Sequence, residues 1–237
     1  MTMALSEAAL ARLRAKTDAV KQRQRGGEDF GKYANLSGKS AIVQPGGGAL
    51  VRLGPRWDYA NAFLRKDGKI VINPAYDFGA DIYVAGIEHW FDGADGKRHR
   101  EWCPRMVDEN GACPLDEAAE KLFAGDAADK ELAKDIRGKD VFLFNAVIRK
   151  VKDGVLHTLM GADGKPDWRI LAVPPTVFTG IFDLVLGGAA AGTAAGFALG
   201  EVWDPREGRD LMILRPAERG QGQQYKVQAN PKPGPLV

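Results

Sequence analysis

The chain has 237 residues, 45% of them hydrophobic, and a formal net charge of +2; that is enough apolar material for a core without disulfide staples. A charge so close to neutral excludes the overall basic field of a strongly cationic nucleic-acid binder, so any contact with DNA must rest on local patches. No apolar run of about 18 residues occurs and no signal-peptide core lies between Met1 and Lys16, so the expectation is an intracellular protein with no membrane span.

Residues 1–39 read as a basic N-terminal arm. Up to Ser40, eight Lys and Arg face four acids, a local +4 that leaves −2 for the rest. Ser6 to Arg25 carries Ala9, Leu10, Leu13 and Val20 loosely on one side, with Ser6 as N-cap and Gly26-Gly27 as stop, which predicts an amphipathic helix. Either it is a solvated appendage, or it contacts a neighbouring subunit or DNA.

From residue 40 the pattern changes to short β-like runs between Gly, Pro and Asp-Gly turns: 40–44, 49–53, 69–72, 81–91, 141–151, 168–173, 198–203, 210–215 and 224–227. Two helical stretches interrupt them, one from Asp116 to about Ile136, the other from Pro174 to Leu186 between a Pro-Pro start and a Gly-Gly stop. Many strands with few helices predict a mainly β protein, a five-stranded barrel of the OB type spanning 40–229 with a subdomain inserted at about 89–136. The Gly/Ala stretch 187–200 reads as a mobile loop. The end, NPKPGPLV (230–237), with three prolines and no acid, reads as a flexible tail.

The chemistry concentrates in the insertion. His89, Cys103, Cys113 and Asp116 offer an imidazole, two thiolates and a carboxylate, a donor set that zinc accepts in structural sites. Cys113 and Asp116 open a predicted helix, whose N-terminus favours thiolate and carboxylate alike. A Cys-x-x-Cys pair would be a stronger signal, since an acid in a first helical turn is common as a cap. One structural metal ion, a metal-free relic of such a site and a disulfide all stay open at this point.

Around these residues lie Trp90, Phe91, Lys97, Arg98, Arg100, Trp102 and Arg105; elsewhere Arg52, Arg56 and Trp57, Phe142 and Phe144 ahead of Arg149, then Arg215, Tyr225 and Lys226. Aromatic faces stack on bases and cations neutralise phosphates, so these are the candidate contacts to single-stranded DNA. Phe142 and Phe144, two apart on a strand, point the same way, toward either the core or the DNA. No nucleophile elbow occurs, and Asp204-Pro205-Arg206-Glu207-Gly208 reads as a turn rather than a carboxylate cluster for Mg²⁺. The expectation is a protein that is not an enzyme.

The order VRLGP (51–55), His89, Cys103, Cys113-Pro114-Leu115-Asp116, FLFNAVIRKVKDG (142–154), the Pro-Pro-opened helix, DPREGRDLMILRP (204–216) and Tyr225 resembles the single-stranded DNA-binding protein of T-even and related phages over roughly 50–228. The resemblance implies an OB-fold with an inserted zinc subdomain and an electropositive, aromatic-lined cleft. It also implies a role in phage DNA replication, recombination and repair in the cytoplasm of the infected host. His89, Cys103 and Cys113 match ligand positions, and Asp116 stands where that family has a third cysteine. Self-association along the strand through the N-terminal arm, and contacts to phage replication and recombination proteins, are the partners it implies. A zinc-stabilised module that recruits such proteins is the alternative function.

Overall fold

The computed structural model describes residues 11, 14–15, 17–18, 35–36, 48–54, 63–66, 69–72, 82–106, 111–152, 155–162, 164–187, 199, 202–204, 206–214 and 225–235. Arg56, Trp57, Arg215 and the predicted strand at 40–44 lie outside them. Of the predicted N-terminal helix, the five described residues are helical.

The chain divides into two units, one made of 1–84 and 143–237, the other of 85–142. The first contains β1 (Asn35–Leu36), β2 (Gly48–Leu53), a hairpin of β3 (Phe63–Lys66) and β4 (Lys69–Ile72), most of β7 (Lys139–Lys152), β8 (Val155–Thr158), β9 (Trp168–Val173), β10 (Asp210–Leu214) and β11 (Lys226–Ala229). Its sheet runs in the order β1-β9-β7-β2-β10-β11, with β8 added to β7. The protein is therefore mainly β with an open antiparallel sheet; no pairing among the described residues closes it into a barrel.

Helix α3 (Pro175–Leu186) covers this sheet. Pro175 occupies its first turn, where a missing N–H costs nothing, and Gly187 ends it at a φ of 77°, a left-handed conformation that favours glycine. Nearly every residue of α3 is buried, as an all-round apolar sequence requires. Phe178 and Phe182 meet at 4.7 Å and join Tyr83 and Phe144; Val51, Leu53, Leu171, Leu211 and Ile213 complete the core. Among the described residues no helix is long and apolar enough to cross a membrane.

The second unit holds the end of β5 (Tyr83–Asp92), β6 (Arg98–Trp102), a 3-10 turn at Pro104–Met106, α1 (Pro114–Phe123), α2 (Ala127–Ile136) and the first residues of β7. The single helix expected from 116 to 136 is two. Gly125 follows the first, and the Asp126 carboxylate accepts from the Asp129 amide at 3.0 Å to cap the second. β6, RHREW, has no apolar alternation; pairing with β5 makes it a strand.

Two other expectations are corrected. Val202 and Trp203, placed in a strand by their apolar character, are buried within a turn. The tail expected to be flexible is fastened through residue 234: the Asn230 amide donates to the Asp210 carbonyl at 2.8 Å and the Gly234 amide to the Gly208 carbonyl at 3.1 Å. Arg209 donates to the carbonyls of Asn230 and Pro231, and Arg52 to that of Gly234. Prolines remove donors but leave these carbonyls exposed to guanidinium groups.

Among the described glycines of the first unit, Gly54 has the closest approach to a neighbour. A Cβ there would lie 2.2 Å from Cζ3 of Trp168, so the half-exposed indole of Trp168 rests directly on this backbone. Gly54→Ala must swing the ring away. The expected result is a loss of about 1 kcal/mol or more, the usual cost of overpacking, read as a lower urea midpoint at unchanged slope. An unchanged midpoint would show that the ring does not depend on this seat.

Candidate metal centre and hairpin face

The four candidate ligands come from three places in the second unit. In the β5–β6 hairpin, His89 pairs with Glu101 and Glu88 with Trp102. The Cys103 amide continues the ladder to the Ile87 carbonyl at 2.9 Å. Cross-strand partners share a face, so His89 and Cys103 project from the same side. Cys113 is the N-cap residue of α1, in extended conformation, and Asp116 lies in that helix's first turn.

These side chains converge: their ligand atoms all lie within 4.8 Å of one another, with the histidine and both cysteines buried. The His89 Nε2 is 3.2 Å from the Cys113 Sγ, and the Cys103 Sγ is 3.9 Å from the Asp116 Oδ2. Tetrahedral zinc with its usual bond lengths separates such donors by about 3.6 Å. The outer sides of the ligands are also held. The His89 Nδ1 lies 2.8 Å from the Ile136 carbonyl, which accepts only, so Nδ1 carries the proton and Nε2 turns its lone pair inward. The Asp116 Oδ1 accepts from the Gly138 amide at 3.0 Å. A Cβ at Gly138 would sit 2.6 Å from Ile87 and 3.2 Å from both His89 and Asp116, so the residue closing the site has room for no side chain.

Burial pushes the Cys103 thiol above its ordinary value, with Cys113 and Asp116 adding to the effect. A metal taken up here displaces that proton, so its binding weakens as pH falls. The cluster is thus a candidate metal site with a fixed tautomer and a supported carboxylate, and its buried position suits a structural ion. Arg105, expected to face DNA, pairs with the candidate ligand Asp116 at 3.4 Å.

On the opposite face of the hairpin, register aligns Glu88, Trp90 and Asp92 with Trp102, Arg100 and Arg98. The Arg100 guanidinium lies 5.8 Å from the Trp90 ring and 5.0 Å from the Trp102 ring, within cation–π range. Glu88 accepts from the Trp90 indole at 2.8 Å and from Arg100 at 2.6 Å. Arg98 reaches Asp92 and Asp135, both at 3.4 Å. Trp102 is 46% exposed, and Lys97 stands exposed in the turn. Phe91 departs from this set, lying on the His89 side, where it stacks on His99 at 5.7 Å.

Four expected DNA contacts are corrected by burial. Phe142 and Phe144 are 3% and 1% exposed, and Phe144 packs with Phe178 and Phe182, so neither ring offers a face to a base. Arg52, which is buried, and Arg149 both turn to Asp210, at 3.5 and 3.2 Å. Tyr225 is half-buried and Lys226 exposed. The expected Asp204 turn is present, its carboxylate accepting from the amides of Arg206 and Glu207 at 2.7 and 2.8 Å. Trp168 is a surface aromatic that its place in the sequence does not mark out; its one signal is the glycine at 54, whose lack of a side chain makes the seat.

No protein-family model matches the chain, and no curated protein matches it in sequence.

Proposed function

We propose that this chain binds single-stranded DNA without sequence preference, through the Trp90–Arg100–Trp102 face of a hairpin held by one structural zinc ion. The observation that carries the reading is the cross-strand alignment of two partly exposed indoles around a guanidinium. Stacking on an indole contributes roughly 1–3 kcal/mol per base, and Arg100 with Lys97 supplies charge for phosphates. His89, Cys103, Cys113 and Asp116 hold the zinc, which fixes the hairpin against α1 and takes no part in binding. The motif order shared with the T-even phage proteins supports an OB-type core and a role in phage DNA replication, recombination and repair in the cytoplasm of an infected host. Self-association through residues 1–39 belongs to the same reading.

Binding works by mass action: a protein that takes the unpaired strand and not the duplex pulls melting toward open DNA. Titration with oligo(dT) should quench tryptophan fluorescence, and affinity should fall steeply with salt as counterions are released. Trp102→Ala should weaken binding by about 1–3 kcal/mol with zinc content unchanged. Equal affinity for duplex and single strand, or no salt dependence, would sink the reading.

One observation favours a second reading, a zinc-stabilised module that recruits replication or recombination proteins. The hairpin face is charge-balanced, with Glu88 engaging Arg100, and Asp92 and Asp135 engaging Arg98. Such a face suits a protein partner, whose core contacts exclude net charge. Fluorescence unmoved by oligo(dT) would select it.

A further inference from the structure

The cluster in the second unit holds every thiol of the chain. The sequence has two cysteines, Cys103 and Cys113, and both are free, each 1% exposed. Their sulfurs lie no more than 4.8 Å apart, the limit for all donor atoms of the cluster, against about 2 Å in a disulfide bond. Each sulfur turns inward from a backbone that is already held. The Cys103 amide fastens the end of β6 to the Ile87 carbonyl at 2.9 Å. Cys113 opens α1 in extended conformation, and its side chain caps none of the helix amides. Rotation of the two side chains is the motion left to bring the sulfurs into contact.

The fourth donor decides what oxidation yields. Asp116 fills that place with a carboxylate, so no third sulfur competes, and within one chain the oxidised state has a single product. The pair cannot serve a metal and a disulfide together. Sulfurs joined to each other offer no thiolate, and His89 with Asp116 then leaves two donors, fewer than the protein ligands of a zinc site. A bond between the cysteines ties the end of β6 to the start of α1, two elements that an ion in the cluster also holds together. Small units with little core are stapled by disulfides as well as by metals.

We propose that Cys103 and Cys113 are a redox pair, which thiol–disulfide exchange with a small-molecule disulfide joins when the site holds no metal, and that their bond then staples the unit in the metal's place. With oxidised glutathione as the oxidant, one cysteine sulfur attacks a glutathione sulfur; the glutathione S–S bond breaks and a mixed disulfide forms. The other cysteine sulfur then attacks the first, forming the Cys103–Cys113 bond and releasing the second glutathione. Two cysteine thiols are oxidised, one glutathione disulfide is reduced, and the two cysteine protons end on the two glutathione thiols. Exclusion of the metal by this bond rests on the zinc reading, whereas the bond itself needs only the two thiols.

The full chain, treated with chelator and desalted, is equilibrated with mixtures of reduced and oxidised glutathione, in buffer and in urea. Mass spectrometry and thiol alkylation read the products. The expected product has lost two hydrogen atoms, carries no glutathione, resists alkylation at both cysteines and regains both thiols with dithiothreitol. Because the folded arrangement accepts the bond as a staple, the equilibrium constant for forming it should be at least about tenfold higher in buffer than in urea. Glutathione retained on the cysteines, a disulfide-linked dimer as the main product, or a constant no higher in buffer than in urea overturns the proposal. A second arm adds one equivalent of zinc before the oxidant, and the bond should then form at least about tenfold more slowly, since bound thiolates are withheld from exchange. An unchanged rate in that arm, with the other results as expected, would sink the zinc site and leave the redox pair standing.

Discussion

On the proposed zinc site, at about one ion per chain, Cys113→Ser is expected to abolish metal binding and with it the folded state of the 85–142 unit. This unit has little else to hold it. Its helices α1 and α2 each bury one residue, Ala119 and Ala133, and much of its remaining buried interior consists of His89, Cys103, Cys113, Val141 and Phe142. A unit this short seldom stands on so small an apolar core and needs a staple. Zinc in comparable small peptides contributes on the order of 10–16 kcal/mol at neutral pH, more than a core of this size can replace. Elemental analysis of protein purified without added metal, with far-UV circular dichroism of the variant, checks both halves. Wild-type protein free of metal yet fully folded would make the cluster a relic. Asp116→Cys should tighten the site, because a thiolate is the softer ligand and removes the carboxylate that Arg105 now shares.

Helix α3 and the buried strands were legible in the sequence because their signals are local. Pro174-Pro175 and Gly187 bracket α3 almost to the residue, and β9 was delimited as it stands, from Trp168 to Val173. The cluster of His89, Cys103, Cys113 and Asp116 was also legible as a candidate, since soft donors are few: two cysteines and three histidines in the whole chain. What could not be read was which face each residue takes. Trp90 and Phe91 are neighbours with the same surroundings in sequence, yet pairing with β6 sends one outward and the other to stack on His99. Arg52 and Arg149 looked like phosphate contacts because a cation in a strand is ordinarily solvated. Their burial depends on Asp210, which is 158 positions after Arg52 and becomes its neighbour only through the register of β10 on β2. The docked C-terminal segment was hidden for a related reason: prolines speak of missing donors, whereas its anchors are carbonyls held by Arg52 and Arg209.

The pairing of Arg52 and Arg149 with Asp210 leads to the other large expected effect. Asp210→Ala should destabilise the protein by about 3–5 kcal/mol, the range for breaking a buried ion pair from one side, out of a total that is typically about 5–15 kcal/mol. The loss is not mainly that of an attraction. Burial already draws the Arg52 guanidinium below its ordinary value, and Asp210 is the largest influence opposing it while Arg149 repels. Without Asp210, Arg52 loses the largest influence that holds its charge while Arg149 goes on repelling it. The sign of a second substitution separates this account from a packing defect. If uncompensated charge is the cause, adding Arg52→Met to Asp210→Ala should recover part of the stability, since one of the two cations goes and a flexible apolar chain fills its place. If the cause were only the cavity left by the carboxylate, the double variant should be less stable than Asp210→Ala alone, because Arg52 also holds the Gly234 carbonyl. Urea denaturation of the three proteins measures both; a loss below about 1 kcal/mol for Asp210→Ala would mean that the charges are screened by water and are not buried as a set.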